Sequence, residues 1–171
     1  MSLFRAPLSR FALAVCLLCA IAPQLQAQPL PEGADLGATP AELQRAMPDL
    51  EKVVRPTRMA GGLAGLWRSA PTALAGVVGN YTFFLASGQV RRIEFWADAP
   101  ADPSAADAAF DALAAWSRDL YGVEMASGGS GARYAAWSRP GVEIYLQQAP
   151  PPRAGVRLVR VARAQRDGSA L

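Results

Sequence analysis

Histidine is missing from all 171 residues, and the only cysteines are Cys16 and Cys19. Without histidine there is no Ser-His-Asp or Cys-His nucleophilic site, and the imidazole ligands of ordinary zinc and copper centres are gone as well. No segment has the Gly-x-x-x-x-Gly-Lys-Ser/Thr spacing that cradles phosphate, none reads Gly-x-Gly-x-x-Gly, and no acidic loop has calcium-binding spacing. No catalytic residue, metal or cofactor is therefore assigned. Lysine is nearly absent too, with Lys52 the single one among 17 basic residues. The longest apolar run, Phe11 to Ala22, is twelve residues, short of the roughly 20 that a membrane-spanning helix needs.

That run does fit an export signal. Arg5 and Arg10 precede it, Pro23 breaks it, and Leu25-Gln26-Ala27 puts the small residue Ala27 at the position before the expected cut. The order predicts a cleavable secretory signal over 1–27. Lipid attachment needs a small residue before the cysteine, but Cys16 follows Val15 and Cys19 follows Leu18, so no lipid anchor is expected. Cleavage would remove both cysteines. It would also take Arg5 and Arg10 from the 17 basic residues, leaving 15 against 14 acidic ones, a net charge near +1. Such a balance gives no support for a nucleic-acid partner. The expected location is the periplasm, with secretion as the alternative, and no stable membrane span after cleavage.

The remaining chain reads as a flexible lead-in (28–37), one α+β domain (38–164) and a disordered tail (165–171). Thr39-Pro40-Ala41-Glu42 is a capping box with proline at the first helical position. Leu43, Met47 and Leu50 give the helix an apolar stripe, and Pro48 limits it to about two turns. A longer helix follows Asp102-Pro103-Ser104, with Phe110, Leu113, Ser117 and Leu120 at helical spacing and Gly122 as its stop. Strands are expected over Tyr81–Leu85 and Gln89–Ala97 around Ser87-Gly88, and over Tyr134–Ser138 and Val142–Gln147 around Arg139-Pro140-Gly141. Weaker ones are expected over Glu51–Arg58, Leu63–Arg68, Val123–Met125 and Val156–Ala162, and Ser127–Gly131 is read as a flexible loop. Arg157, Arg160 and Arg163 lie three apart, as on a helix, but the valines among them favour a strand.

These elements repeat in order. Gly61-Gly62 and Gly128-Gly129 lie 67 residues apart, Trp67 and Trp137 lie 70 apart, and Gly88 and Gly155 again 67. The reading is two tandem α-β-β-β-β repeats, 38–98 and 102–164, forming one curved antiparallel sheet with helices packed on one face. Element order over most of 36–164 resembles the β-lactamase-inhibitor-protein-like fold. The segment Leu36-Gly37-Ala38-Thr39-Pro40-Ala41-Glu42-Leu43 resembles the start of the small outer-membrane assembly lipoproteins of the SmpA/OmlA (BamE) type. The chain departs from the second group in lacking its lipidated cysteine and from the secreted inhibitors in lacking their disulfides, so neither activity transfers residue by residue. The resemblance implies a class, small envelope or secreted proteins that bind other proteins without catalysis.

The residue pattern supplies candidates for such binding. On Gln89–Ala97, Ile93 and Phe95 share one face while Arg92, Glu94 and Trp96 share the other, and Tyr145 has the equivalent side of its own strand. Arg, Trp and Tyr on an open sheet face are the types that dominate protein-binding energetics. Arg92, Trp96 and Tyr145 are the first candidates, and Trp67 and Trp137 follow, with core packing between helix and sheet as the alternative. The function expected is an exported, non-enzymatic protein-binding module of the cell envelope. Two other readings stay open. One is a carboxylate-dependent envelope hydrolase or lyase using Glu94 and Glu143, and the other is a carrier with an apolar cavity between helix and sheet. A Ser-Lys nucleophile at Lys52 lacks the Ser-x-x-Lys spacing.

Overall fold

A computed structural model describes residues 30–99, 103–128, 132–150 and 154–163. The signal segment 1–27 and the tail 165–171 lie outside the described residues. Among the described residues two α-helices and nine strands follow in the order α1 (Pro40–Ala46), β1 (Glu51–Lys52), β2 (Ala64–Arg68), β3 (Thr72–Leu74), β4 (Val77–Ala86), β5 (Gln89–Asp98), α2 (Pro103–Tyr121), β6 (Ala126–Gly128), β7 (Tyr134–Arg139), β8 (Val142–Ala149) and β9 (Gly155–Ala162), with one 3-10 turn at Ala60–Gly62. The chain is thus α+β, with a large antiparallel sheet ordered β1-β2-β4-β5-β9-β8-β7-β6 and β3 paired on the outside of β4.

Local chemistry accounts for most of this. Thr39 caps α1 with its side chain accepting from the Glu42 N–H, while the Glu42 carboxylate accepts from the Thr39 N–H at 2.8 Å. That hydrogen bond holds the Glu42 carboxyl below its usual range. Gly122 closes α2 at φ +78°, its N–H bonded to the Arg118 carbonyl. The β4–β5 hairpin turns on Ser87 and Gly88 with φ +51° and +73°, the pair of positive angles that a two-residue turn of right-handed twist needs.

Residues paired in register share a sheet face. Toward the helices runs the row Trp67, Phe83, Ile93, Arg160, Ile144, Trp137, from β2 through β4, β5, β9 and β8 to β7. A second row holds Tyr81, Phe95, Leu158, Leu146 and Ala135. Against them pack Leu43 and Leu50 from the α1 region and Phe110, Leu113 and Ala114 from α2, all in one continuous core. Strand parity separates the three arginines of β9 and its end: Arg157 is on the open face, Arg160 faces the helices, and Arg163 lies beyond the strand.

Within the expected lead-in, Ala34 is fully buried, Asp35 pairs with Arg160 at 3.1 Å, and the Gly37 N–H bonds the Val90 carbonyl. Two strand expectations need correction. The strand expected over Glu51–Arg58 stops at Lys52, because Pro56 has no N–H to give and Leu66 bulges out of register opposite. The strand expected at Val123–Met125 forms three residues later, taking up Ser127 and Gly128 of the expected loop, while Val123 and Met125 stand exposed. β3 was not foreseen.

Candidate functional site

The face of the sheet turned away from the helices carries the candidates. Arg92 donates to the Glu94 carboxylate through Nε at 2.7 Å and also through Nη2. Its guanidinium lies 5.8 Å from the centre of the Phe84 ring and 5.5 Å from that of Tyr145. Only 13% of either charged side chain is exposed. Arg92 is therefore a pin that ties β4, β5 and β8 together, its Nε and Nη2 engaged by Glu94 and its flat face set against two rings. Beneath this layer Val159, paired between Glu94 and Tyr145, is fully buried although it is on the open face.

Trp96, half-buried, stands further along the same face. Its Nε1–H donates to Asp98 Oδ1 at 2.5 Å, and its ring lies across the backbone of Gly155, where a Cβ would come within 2.7 Å of the indole. Glycine at 155 is what lets the ring lie flat there. The structure thus brings Arg92, Trp96 and Tyr145 onto one surface. It does not bring Trp67 or Trp137 there. Both face the helices, Trp67 part-buried against the core and Trp137 3% exposed with its Nε1–H donating to the Gly122 carbonyl at 2.8 Å. As partner-binding residues these two are withdrawn; core packing is their place.

Beside Trp96 opens a groove of about 560 Å3. One wall is the segment 53–59, which the Val53 and Met59 N–H groups and the Thr57 carbonyl tether to the β2 region, each by a bond of 2.9 Å. Thr82, Phe84 and Glu94 form the floor, and Trp96, Arg157 and Pro150 the opposite side. Three arginines line it: Arg55 on the wall, Arg68 on β2 and Arg157 on β9. None has a carboxylate in ion-pair range among the described residues. Arg68 instead donates to Asn80 Oδ1 at 3.1 Å and Arg157 to Gln147 Oε1 at 2.9 Å, neutral partners that orient a guanidinium and leave its charge uncompensated. The one acidic residue in the lining among the described residues, Glu94, is matched by Arg92 beside it on β5. Sequence reading missed these arginines; strand parity put Arg157 on the face with Trp96, but the wall that gathers Arg55 and Arg68 is tertiary.

Other candidates are less convergent. Glu143 is exposed and faces Arg163 at 3.4 Å, two strands from Glu94 and one alternate position along, a backbone separation of about 12 Å. The helix–sheet cavity, lined by Tyr81, Trp116, Tyr121 and Arg160 among others, measures about 50 Å3. Among the described residues no helix is long and apolar enough to cross a membrane, and no three His, Cys, Asp or Glu gather as metal ligands. Comparison with family models, with curated proteins and with solved structures gives no match.

Proposed function

We propose that this chain is an exported, non-enzymatic protein-binding module of the cell envelope, holding its partner on the open face of an antiparallel sheet built from two tandem helix-plus-four-strand repeats. The observation that carries the reading is the groove itself: a wide recess beside a half-buried tryptophan, rimmed by three arginines whose charge nothing in the lining balances. Such a mixture of aromatic and guanidinium surface is what protein interfaces concentrate at their centres. The repeat is supported by strand order, since β1-β2-β4-β5 and β6-β7-β8-β9 each run inward from an outer edge to the β5–β9 seam, each set after one helix. Trp67 and Trp137 occupy the two ends of one row across that sheet.

Geometry weighs against the two competing readings. A carrier needs a pocket of roughly 300–1,000 Å3, many times the cavity under α2. Paired acid–base catalysis needs carboxylates roughly 5–9.5 Å apart with lone pairs to spare, whereas Glu94 is clamped by Arg92 and Glu143 is remote. The test has two arms. Periplasmic recovery of a mature chain beginning at Gln28 checks export, and an unprocessed cytoplasmic product refutes it. For binding, a partner isolated by cross-linking in envelope extract is titrated with Trp96→Ala and Tyr145→Ala variants. Each should weaken the complex by about 2 kcal/mol, roughly 30-fold, and an unchanged affinity for both removes the open face from consideration.

A further inference from the structure

We infer that the groove beside Trp96 takes an extended acidic segment of the partner protein, with carboxylates on alternate residues crossing the strands from Arg68 to Arg157. This rests on the binding role proposed for the same face and narrows it to a chemical class. Arg68 on β2 and Arg157 on β9 lie three strand spacings across and two residues along from each other, roughly 16 Å between backbones. The residues that hold their guanidiniums, Asn80 and Gln147, end one cross-strand row that is three spacings, roughly 14 Å, long. Residues i and i+4 of an extended chain are about 13–14 Å apart, with residue i+2 midway on the same side. A single small anion spans only part of that distance. A chain with carboxylates at i and i+4 reaches both guanidiniums, and its i+2 side chain comes down over Trp96, which lies in the same row between Asn80 and Gln147. Arg55, exposed on the wall and without an ion-pair partner among the described residues, faces the outer side of the same path. Asn80 and Gln147 already hold the Arg68 and Arg157 guanidiniums in place, so little side-chain freedom remains to be lost on binding. Glu94 does not oppose an acidic ligand, because Arg92, beside it on the same face of β5, neutralises it.

The experiment titrates the purified mature chain with a labelled, end-blocked nonapeptide alternating glutamate and valine, with its glutamine and lysine analogues, and with polygalacturonate. The glutamate peptide should bind at least about tenfold more tightly than the glutamine analogue, lose that advantage when salt rises to about 0.5 M, and shift the tryptophan emission. A double variant, Arg68→Gln with Arg157→Gln, should lose the glutamate preference while melting at the wild-type temperature. Equal binding of glutamate and glutamine peptides, or no binding of either, overturns the inference. Tighter binding of polygalacturonate also overturns it, in favour of a polysaccharide occupant. These failures are distinct from failure of the open face as a binding surface: if Trp96→Ala weakens the cross-linked partner complex while the arginine variant leaves it intact, the face stands and the acidic segment falls.

Discussion

Ser117 sits fully buried on α2 with no hydrogen-bond partner for its Oγ among the described residues. A desolvated hydroxyl that makes no bond costs stability, and serine is also a poorer helix former than alanine. Ser117→Ala should raise stability by about 1 kcal/mol, read as a melting temperature higher by a few degrees; a lower one would mean that the hydroxyl has a partner after all. Tyr81 gives a second residue-level test. Burial pushes its hydroxyl from the ordinary 10 up to about 12, so the folded state favours the neutral phenol. That preference contributes fully below pH 10 and is lost as pH rises from about 10 to 12, on the order of 2 kcal/mol in all. Urea titrations across that window should show the decline in the wild type and a flatter course in Tyr81→Phe. At this scale the candidate site was half legible. Alternation along β5 placed Arg92 and Trp96 correctly on one face, since period 2 is a backbone property. Alternation said nothing about occupancy, so the sequence did not reveal that Arg92 is spent on Glu94 while Arg68 and Arg157 keep an uncompensated charge.

Turns with a non-glycine residue at positive φ are the strained points among the elements. Ser87 at φ +51° precedes Gly88, and Ala75 at φ +52° precedes Gly76 in the β3–β4 turn. Asparagine tolerates that left-handed region better than serine or alanine. Ser87→Asn and Ala75→Asn should each stabilise by about 0.5–1 kcal/mol, seen as a higher denaturant midpoint with an unchanged slope. The same strain explains what was missed. Ser-Gly reads as a hairpin turn, whereas Ala-Gly does not announce one, and the three residues of β3 are too few to show alternation. At the end of α2, Arg118 grips Glu124 through two hydrogen bonds, at 2.8 and 2.9 Å. They hold the Glu124 carboxyl down to about 2 from its ordinary 4.5. A depressed carboxyl stabilises above its unfolded value and stops doing so as pH falls from about 4.5 to 2. Glu124→Gln should therefore lower stability at neutral pH and leave it nearly unchanged near pH 2. Because the pair lies at the surface, with the Arg118 side chain about half exposed, solvent screening keeps the effect small. Helix boundaries were the most legible elements, since the capping box at Thr39 and the stop at Gly122 are local chemistry. The wall at 53–59 was the least, because Pro56 and the bulge at Leu66 act across two segments.

Taken as one body, the molecule joins its two outer-to-inner strand sets along β5 and β9, in register from Arg92↔Val161 to Asp98↔Gly155. The helical cover is unequal. α1 has seven residues, about 10 Å of length, too little to shield β2, β4 and β5, whereas α2 has nineteen and packs on β7, β8 and β9 and also on β4. Phe83 and Phe95 of the first strand set share one core with Phe110 and Leu113 of α2. The first half therefore borrows its apolar cover from the second, whatever the evolutionary origin of the two. A fragment ending at Ala99 would leave Phe83, Ile93 and Phe95 facing water, at roughly 2 kcal/mol for each such side chain, against a total stability of only about 5–15 kcal/mol for a domain. Heating should accordingly give a single calorimetric transition with equal calorimetric and van't Hoff enthalpies. The isolated 28–99 fragment should show no cooperative melting by circular dichroism, and mixing it with 100–171 should restore the transition. Two separate transitions in the whole chain, or cooperative melting of the 28–99 fragment alone, would mean that the seam joins two independent cores and that α2 is not shared.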